Sequence, residues 1–134
     1  MPVGVKFGVY VPEGLAEDLE RCMKELGLDN KSKLVQEALR SFIAEQRWRF
    51  GGRAVGVIGV IYDHDVSHAD EELTDIQHEY LGIIVAALHI HVERRKCALY
   101  IFVRGETDDI KELMSRIMKI KGVEIVKPML LSAD

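Results

Sequence analysis

Two histidines and a cysteine near the middle of the chain are spaced so that one metal ion could bind all three. His89 and His91 lie in the apolar run 88–92, and side chains two residues apart on a strand point to the same face. Cys97 follows the polar run 93–96, which predicts a hairpin turn back to the histidines. Imidazoles and thiolates are common metal ligands. Histidines on an apolar strand are also common as hydrogen-bonded core residues, so both interpretations stay open.

His78 is a fourth candidate ligand, on a predicted helix. The apolar residues of this helix recur at helical spacing and mark its buried side: Leu73, Ile76, Tyr80, Leu81 and Ile84. At about 100° per residue, His78 lies roughly 120–140° from the middle of that stripe, so it faces away from its own core. A solvated histidine would also suit this position. If His78 is a ligand, its direction favours a metal site completed by another subunit.

The composition excludes several classes of protein. The chain has 134 residues, 48% hydrophobic and 30% charged, which fits one domain or two small ones in a globular protein. Because no apolar run is long enough to span a membrane and no signal peptide is evident, we expect a cytoplasmic protein with no membrane partner. Two cysteines do not make a disulfide framework. We expect Cys22 to pack in a core on its helical stripe, which leaves Cys97 as the functional thiol.

The first 48 residues predict a strand followed by two helices. Apolar and other residues alternate over residues 5–11, which indicates a half-buried strand. Gly27 is a natural end for the first helix, and Asn30 or Ser32 can cap the second. A unit this short is unlikely to fold alone. Pairing its strand with the same strand of a second copy would give a two-stranded ribbon on four helices.

Such a ribbon could enter the major groove of DNA. The net charge of −4 argues against nucleic-acid binding, yet basic and acidic residues balance over residues 1–50. A plain dimerisation module with a solvated polar face is the alternative. The candidate DNA contacts are the outward ribbon residues Lys6, Gly8 and Tyr10, and the phosphate-binding start of the second helix, Lys31, Ser32 and Lys33.

Paired glycines predict a hinge at residues 49–53, followed by a second domain over residues 54–134. Its predicted elements follow the order strand, helix, strand, strand, helix, strand, which is the ferredoxin-like βαββαβ arrangement. We expect strands at 54–62, 88–92, 97–103 and 123–131, and a last helix that ends at Gly122. The helices would cover one face of the sheet and leave the other free for association. The predicted fold class is α+β.

The chain resembles the nickel-responsive transcriptional regulator family, in which a ribbon-helix-helix module is fused to an ACT-like domain. The resemblance rests on Asn30-Lys31-Ser32, Tyr62-Asp63-His64, Gln77-His78, Leu88-His89-Ile90-His91 and Cys97. It implies one Ni(II) per subunit in a square-planar site, with ligands His89, His91 and Cys97 and with His78 supplied by a neighbouring subunit. It further implies that Tyr62, His64 and Gln77 support these ligands.

The same resemblance implies a homotetramer, built as a dimer of dimers, that binds double-stranded operator DNA. Nickel would strengthen this binding and repress nickel-uptake genes. Two positions depart from the family pattern. The acidic residue that commonly lies two positions after the cysteine is Leu99 here, and Gly8 has no side chain with which to contact a base edge.

Other functions fit parts of the same pattern. The donor set also suits zinc or copper, and an ACT-type sensor of a small molecule such as an amino acid stays open as well. The loop 63–68 lacks the glycine that such sensors often use, which counts against the second alternative. His64 and His68 could form an auxiliary metal site or lie in solvent. We do not expect an enzyme, because four protein ligands leave no coordination position for a substrate.

Overall fold

The computed structural model describes residues 3–66 and 68–134, which divide into two compact units, Met1–Arg40 and Ser41–Asp134. Residues 1 and 2 of the predicted N-terminal module and residue 67 of the loop 63–68 lie outside the described part. The elements in chain order are α1 (Glu13–Leu26), α2 (Lys31–Gln46), β1 (Arg53–Asp63), α3 (Ala69–Glu79), β2 (Ile84–His91), β3 (Lys96–Glu106), α4 (Thr107–Met118) and β4 (Val123–Ser132). The units divide inside α2, and the domain limit at residue 48 with a hinge at 49–53 stays a prediction.

The first unit contains α1 and the beginning of α2. Gly27 ends α1 in the left-handed conformation, with φ of +67°, as a glycine at this position can without a steric penalty. The Lys33 backbone amide donates a hydrogen bond to Asn30 Oδ1 at 3.0 Å. Asn30 therefore caps the N-terminus of α2, and Ser32 lies within the helix.

Two expectations for the first unit differ from the structure of the single chain. Residues 3–12 form no strand, and Phe7 is 70% exposed. A strand is held by hydrogen bonds to a neighbouring strand, and the prediction placed that neighbour in a second copy. The prediction that Cys22 packs in a core is wrong for the single chain, where Cys22 is exposed. Leu15 and Leu26, which lie on the same apolar side of α1 as Cys22, are exposed as well.

The second unit is a four-stranded antiparallel sheet with the strand order β2-β3-β1-β4. This is the topology expected for the βαββαβ arrangement, and the predicted α+β fold class is confirmed. Side chains from the sheet and from α3 and α4 form one core, whose fully buried members include Ile58, Ile101, Ile110, Leu113 and Ile117. Apolar side chains that alternate with the core positions are exposed, among them Val55, Tyr100, Phe102, Met129 and Leu131.

The last helix is shorter than predicted, because α4 ends at Met118 and not at Gly122. The backbone amides of residues 119 and 120 donate to carbonyls three residues back, at 3.3 and 3.1 Å. This tightens the final turn and takes the chain out of the α-helical path. Ile120 is buried there, and Gly122 lies in the turn that leads into β4.

The segment between α2 and β1 is anchored to the core of the second unit. Arg47–Phe50 forms a short 3-10 helix in which Trp48 is 1% exposed and belongs to the core. Lys111 Nζ donates a hydrogen bond to the Arg49 carbonyl at 2.6 Å.

In the described residues, no helix is both long enough and apolar enough to cross a membrane.

Candidate metal centre

The β2–β3 hairpin places the predicted strand ligands side by side. His91 lies opposite Cys97 in the register of the two strands, and His89 lies opposite Leu99. Residues opposite one another in a sheet share a face, so both histidines and the cysteine point to the same side. Tyr62 on β1 lies opposite Cys97 from the other flank and brings its ring to that side as well.

The His91 and Cys97 side chains are close enough to share one ion. His91 Nδ1 lies 3.6 Å from Cys97 Sγ. With metal–sulfur and metal–nitrogen bonds of about 2.3 and 2.05 Å, two such donors lie about 3.1 to 3.5 Å apart for bond angles of about 90° to 109°. A single ion can therefore bridge this pair with only a small adjustment, and the donor set fits a metal of intermediate softness such as nickel.

His89 lies beside this pair, with its ring centroid 5.1 Å from that of His91. Its Nε2 atom is 3.2 Å from the Tyr62 hydroxyl oxygen, and that oxygen is 2.5 Å from Asp70 Oδ1. Across residues 3–66 and 68–134 of one chain, no three His, Cys, Asp or Glu side chains are arranged to hold an ion together. A complete site here would need a further donor or a movement of His89.

Burial and the neighbouring charges control the ionisation of the thiol and the phenol. Burial raises the pKa of the Cys97 thiol above its ordinary value, and the negative charge of Asp70 raises it further. Burial also raises the pKa of Tyr62, with a second contribution from its hydrogen bond to Asp70. Both groups are therefore neutral in the metal-free chain at neutral pH, and Cys97 would lose a proton on binding a metal.

His78 lies on the exposed side of α3, while Leu73 and Ile76 of the same helix are buried. The direction expected from helical periodicity is thus the one observed. The hairpin brings His91 and Cys97 within 3.6 Å of each other with His89 beside them, and His78 faces outward.

The residues expected to support the ligands occupy two places. Tyr62 and Gln77 line a cavity of about 300 Å³ next to His89. The wall of this cavity includes Leu99, which is buried at the position where the resemblance predicts an acid. Sequence reasoning missed Asp70, whose carboxylate lies at the same cavity. Its spacing from Thr74 and Gln77, four and seven residues on, was the signal that it shares their helix face.

The loop histidines lie farther from the hairpin ligands. The ring centroid of His64 is 6.3 Å from that of His91, and His64 Nε2 donates to the Arg94 carbonyl at 2.8 Å. This hydrogen bond raises the pKa of His64. His68 is exposed and lies within 3.2 Å of Glu71. The auxiliary site of His64 and His68 stays a prediction.

The six candidate DNA contacts are exposed side chains or backbone of the first unit. Lys6, Gly8 and Tyr10 lie in the segment that forms no strand. Lys31 Nζ forms an ion pair with Glu20 at 2.7 Å, so part of its charge is already offset.

Comparison with known proteins gives a family match over most of the chain. Residues 55–131 match the family model described as the NikR C terminal nickel binding domain. Relatives titled "Putative nickel-responsive regulator" come from Pyrococcus abyssi, at 37% identity over 90% of this chain and 88% of the relative, and from Dictyoglomus thermophilum, at 37% identity over 89% of both. The relative from Thermococcus kodakarensis is 36% identical, again over 90% of this chain and 88% of its own length.

A solved structure adds support for the fold alone. An uncharacterized protein from Thermotoga maritima superimposes with a TM-score of 0.53 at 17% identity, over 61% of this chain and 99% of that one.

The sequence matches confirm the predicted resemblance and a role as a nickel-responsive regulator, and they confirm that the protein is not an enzyme. The chain belongs to the nickel-responsive regulator family.

Proposed function

We propose that the protein is a cytoplasmic repressor of nickel uptake that binds operator DNA more tightly when Ni(II) is bound. The proposed site takes His89, His91 and Cys97 from one subunit and His78 from a neighbouring subunit, with one Ni(II) per subunit of a homotetramer. The observation that carries this proposal is the 3.6 Å separation of His91 Nδ1 and Cys97 Sγ on the hairpin that also carries His89. Membership of the family supports nickel as the metal.

The mechanism follows from where the donors lie. Bound Ni(II) would accept nitrogen and sulfur donors from two subunits at once. The hairpin holds its donors on a rigid strand pair, whereas His78 projects outward from α3, so a shared site would fix α3 of one subunit against the hairpin of another. We propose that this favours the assembly in which two N-terminal modules fit one operator. Linkage then requires DNA to strengthen nickel binding by the same factor.

Nickel binding by single variants tests the ligands. In equilibrium dialysis we expect the wild-type protein to retain nickel at sub-micromolar free ion and to show planar nickel–thiolate absorption bands. His89→Ala and Cys97→Ala should lose both signals and still form the same oligomer. Cys22→Ala removes the other cysteine, which is exposed in the first unit, and is the matched control for Cys97→Ala, so it should bind as the wild type does. Unchanged nickel binding in His89→Ala would contradict the site.

Subunit mixing tests whether the site is shared. His78→Ala keeps an intact hairpin, and His89→Ala keeps an intact His78, so each variant alone lacks one ligand at every site. Co-refolded mixtures should regain part of the nickel binding, because a hairpin of the first variant can meet His78 of the second. Mixtures that bind no more nickel than the separate variants would show that the four residues do not act across subunits.

We further propose that DNA is contacted by the N-terminal segment, paired between two copies, and by the start of α2. The support is chemical: the first turn of a helix has free backbone amides and the positive end of the helix dipole, and both favour phosphate. Lys33→Ala should weaken nickel-dependent binding to all sequences and lower the slope of log affinity against log salt by about 1. Lys121→Ala, an exposed lysine of the second unit, is the control. Equal slopes for the two variants would contradict the proposed contact.

A further inference from the structure

The acid that the family commonly places on β3 is absent from this chain, and another acid lies across the same cavity. Leu99 is 6% exposed and offers no polar atom from its side chain to His89, which lies opposite it. Asp70, in the first turn of α3, lines the cavity that Leu99 and His89 also line.

Tyr62 connects Asp70 to His89. Its hydroxyl oxygen lies 2.5 Å from Asp70 Oδ1 and 3.2 Å from His89 Nε2. The ionised carboxylate can only accept, so the single hydroxyl proton of Tyr62 is donated to Asp70. The hydroxyl oxygen must then accept from His89, which requires a proton on Nε2. In neutral imidazole this leaves Nδ1 unprotonated, with its lone pair free for a metal.

We propose that Asp70 is a positioning residue for the metal donor His89, because through Tyr62 it selects the imidazole tautomer whose Nδ1 is free. Asp70 thus does from α3 what the acidic residue on β3 does elsewhere in the family. This inference rests on the proposed function, in which His89 is a ligand. It also joins the first turn of α3, the helix that carries His78, to the strand that carries the other histidines.

The size of the effect expected from Asp70 depends on how exposed Tyr62 and Asp70 are to water. Tyr62 is 3% exposed, and Asp70 Oδ1 at 2.5 Å is closer to its hydroxyl oxygen than His89 Nε2 at 3.2 Å. The Asp70 side chain is itself exposed, and water can replace part of its effect when it is removed. We therefore expect the loss of Asp70 to weaken nickel binding by about tenfold, at the lower end of the range for residues that orient a metal ligand.

The first test is the tautomer of His89 in the full-length, metal-free protein. Imidazole ¹⁵N shifts are measured at a pH where the histidines are neutral, and the His89 signals are assigned with His89→Ala. We expect the Nε2–H form in the wild type and in Glu72→Ala, which removes an equal charge from an exposed site on the same helix turn. Asp70→Ala and Tyr62→Phe should both show a mixture of tautomers. Adding Asp70→Ala to Tyr62→Phe should change nothing further, because the connection is already cut.

The second test is the affinity for nickel. Asp70→Ala should bind nickel about tenfold more weakly than the wild type and Glu72→Ala, while Asp70→Asn, which keeps an acceptor oxygen, should lose less. Asp70→Ala combined with Leu99→Glu should regain affinity. A His89 tautomer unchanged in both Asp70→Ala and Asp70→Asn would overturn the inference even if nickel binds at His89. A tautomer that depends on Asp70 in a protein that binds no nickel would overturn the proposed function instead.

Discussion

Gly56 on β1 lies close against the backbone of β4. A Cβ atom at this position would overlap the Met129 carbonyl oxygen and lie 2.9 Å from Leu130 Cα. Backbone atoms held in the β1–β4 ladder move away less readily than the end of a flexible side chain. At Gly59, three residues further along the same strand, a Cβ would meet its nearest neighbours, the Lys127 carbonyl oxygen and a Tyr100 ring carbon, at an ordinary 3.6 Å.

We expect Gly56→Ala to lower the free energy of unfolding by about 2 kcal/mol or more, the usual cost of overpacking. Gly59→Ala should change it by less than about 1 kcal/mol, since the added methyl group has room. Urea unfolding of both variants, followed by far-ultraviolet circular dichroism, measures the difference. Equal stabilities would mean that β4 moves to admit the methyl group.

Single residues also show how far the site could be predicted from sequence. The two-residue spacing of His89 and His91 is enough to place them on one face, because strand geometry alone decides it. The outward direction of His78 follows from helical periodicity in the same way. Asp70 could not be predicted as a partner of Tyr62, since their contact depends on how α3 packs against the sheet and not on any local spacing.

Among the elements, α2 has the clearest local signal at its start. Asn30 accepts a hydrogen bond from the Lys33 amide, whereas the Ser32 hydroxyl, also considered as a cap, lies 3.4 Å from the Gln36 side-chain nitrogen. Of the two residues that the sequence offers as N-cap of α2, Asn30 is therefore the cap and Ser32 is not. The cap satisfies one of the free amide groups that every helix has at its N-terminus.

Replacing Asn30 by Ala should lower the free energy of unfolding by about 1 kcal/mol, the usual value for a lost N-cap. Ser32→Ala is the matched control and should have an effect within about 0.5 kcal/mol of zero. Thermal unfolding followed by circular dichroism at 222 nm compares them. A larger loss in Ser32→Ala than in Asn30→Ala would contradict the assignment of the cap.

The βαββαβ elements were predictable because each carries its own periodicity and its neighbours lie within the same chain. The expected order of strands and helices is the order observed, with boundaries that differ by a few residues, as at the end of α4. Residues 3–12 and Cys22 behave differently. Their alternating or helical patterns show that one side is apolar, but a pattern cannot say what covers that side.

At the scale of the whole molecule, the N-terminal segment exposes apolar side chains that a stable fold would have to cover. In the single chain Val5, Phe7 and Val9 are 82%, 70% and 69% exposed, and Met23 is the buried hydrophobic residue of the described part of the first unit. So little burial cannot hold a folded module by itself. Pairing with a second copy would bury the apolar side and would give the backbone amides partners.

Hydrogen exchange of the segment 3–12 tests this pairing in the intact oligomer. The amides should be protected in the wild type and in Lys6→Glu, whose change lies on the outward side of the predicted ribbon. Phe7→Glu should remove the protection, because it would bury an unpaired charge between the copies. Exchange of the wild-type segment at the rate of a free chain would rule out a paired strand.

Strand β2 alternates between its two histidines and the apolar pair Leu88 and Ile90, which are 53% and 44% exposed on the opposite face. A slip of one residue along β3 would exchange the two sets completely. A one-residue shift therefore cannot move the candidate ligands His89 and His91 without also turning Leu88 and Ile90 toward the helices. Under the proposed function, the metal site and the face left free for association therefore depend on the same register of β2.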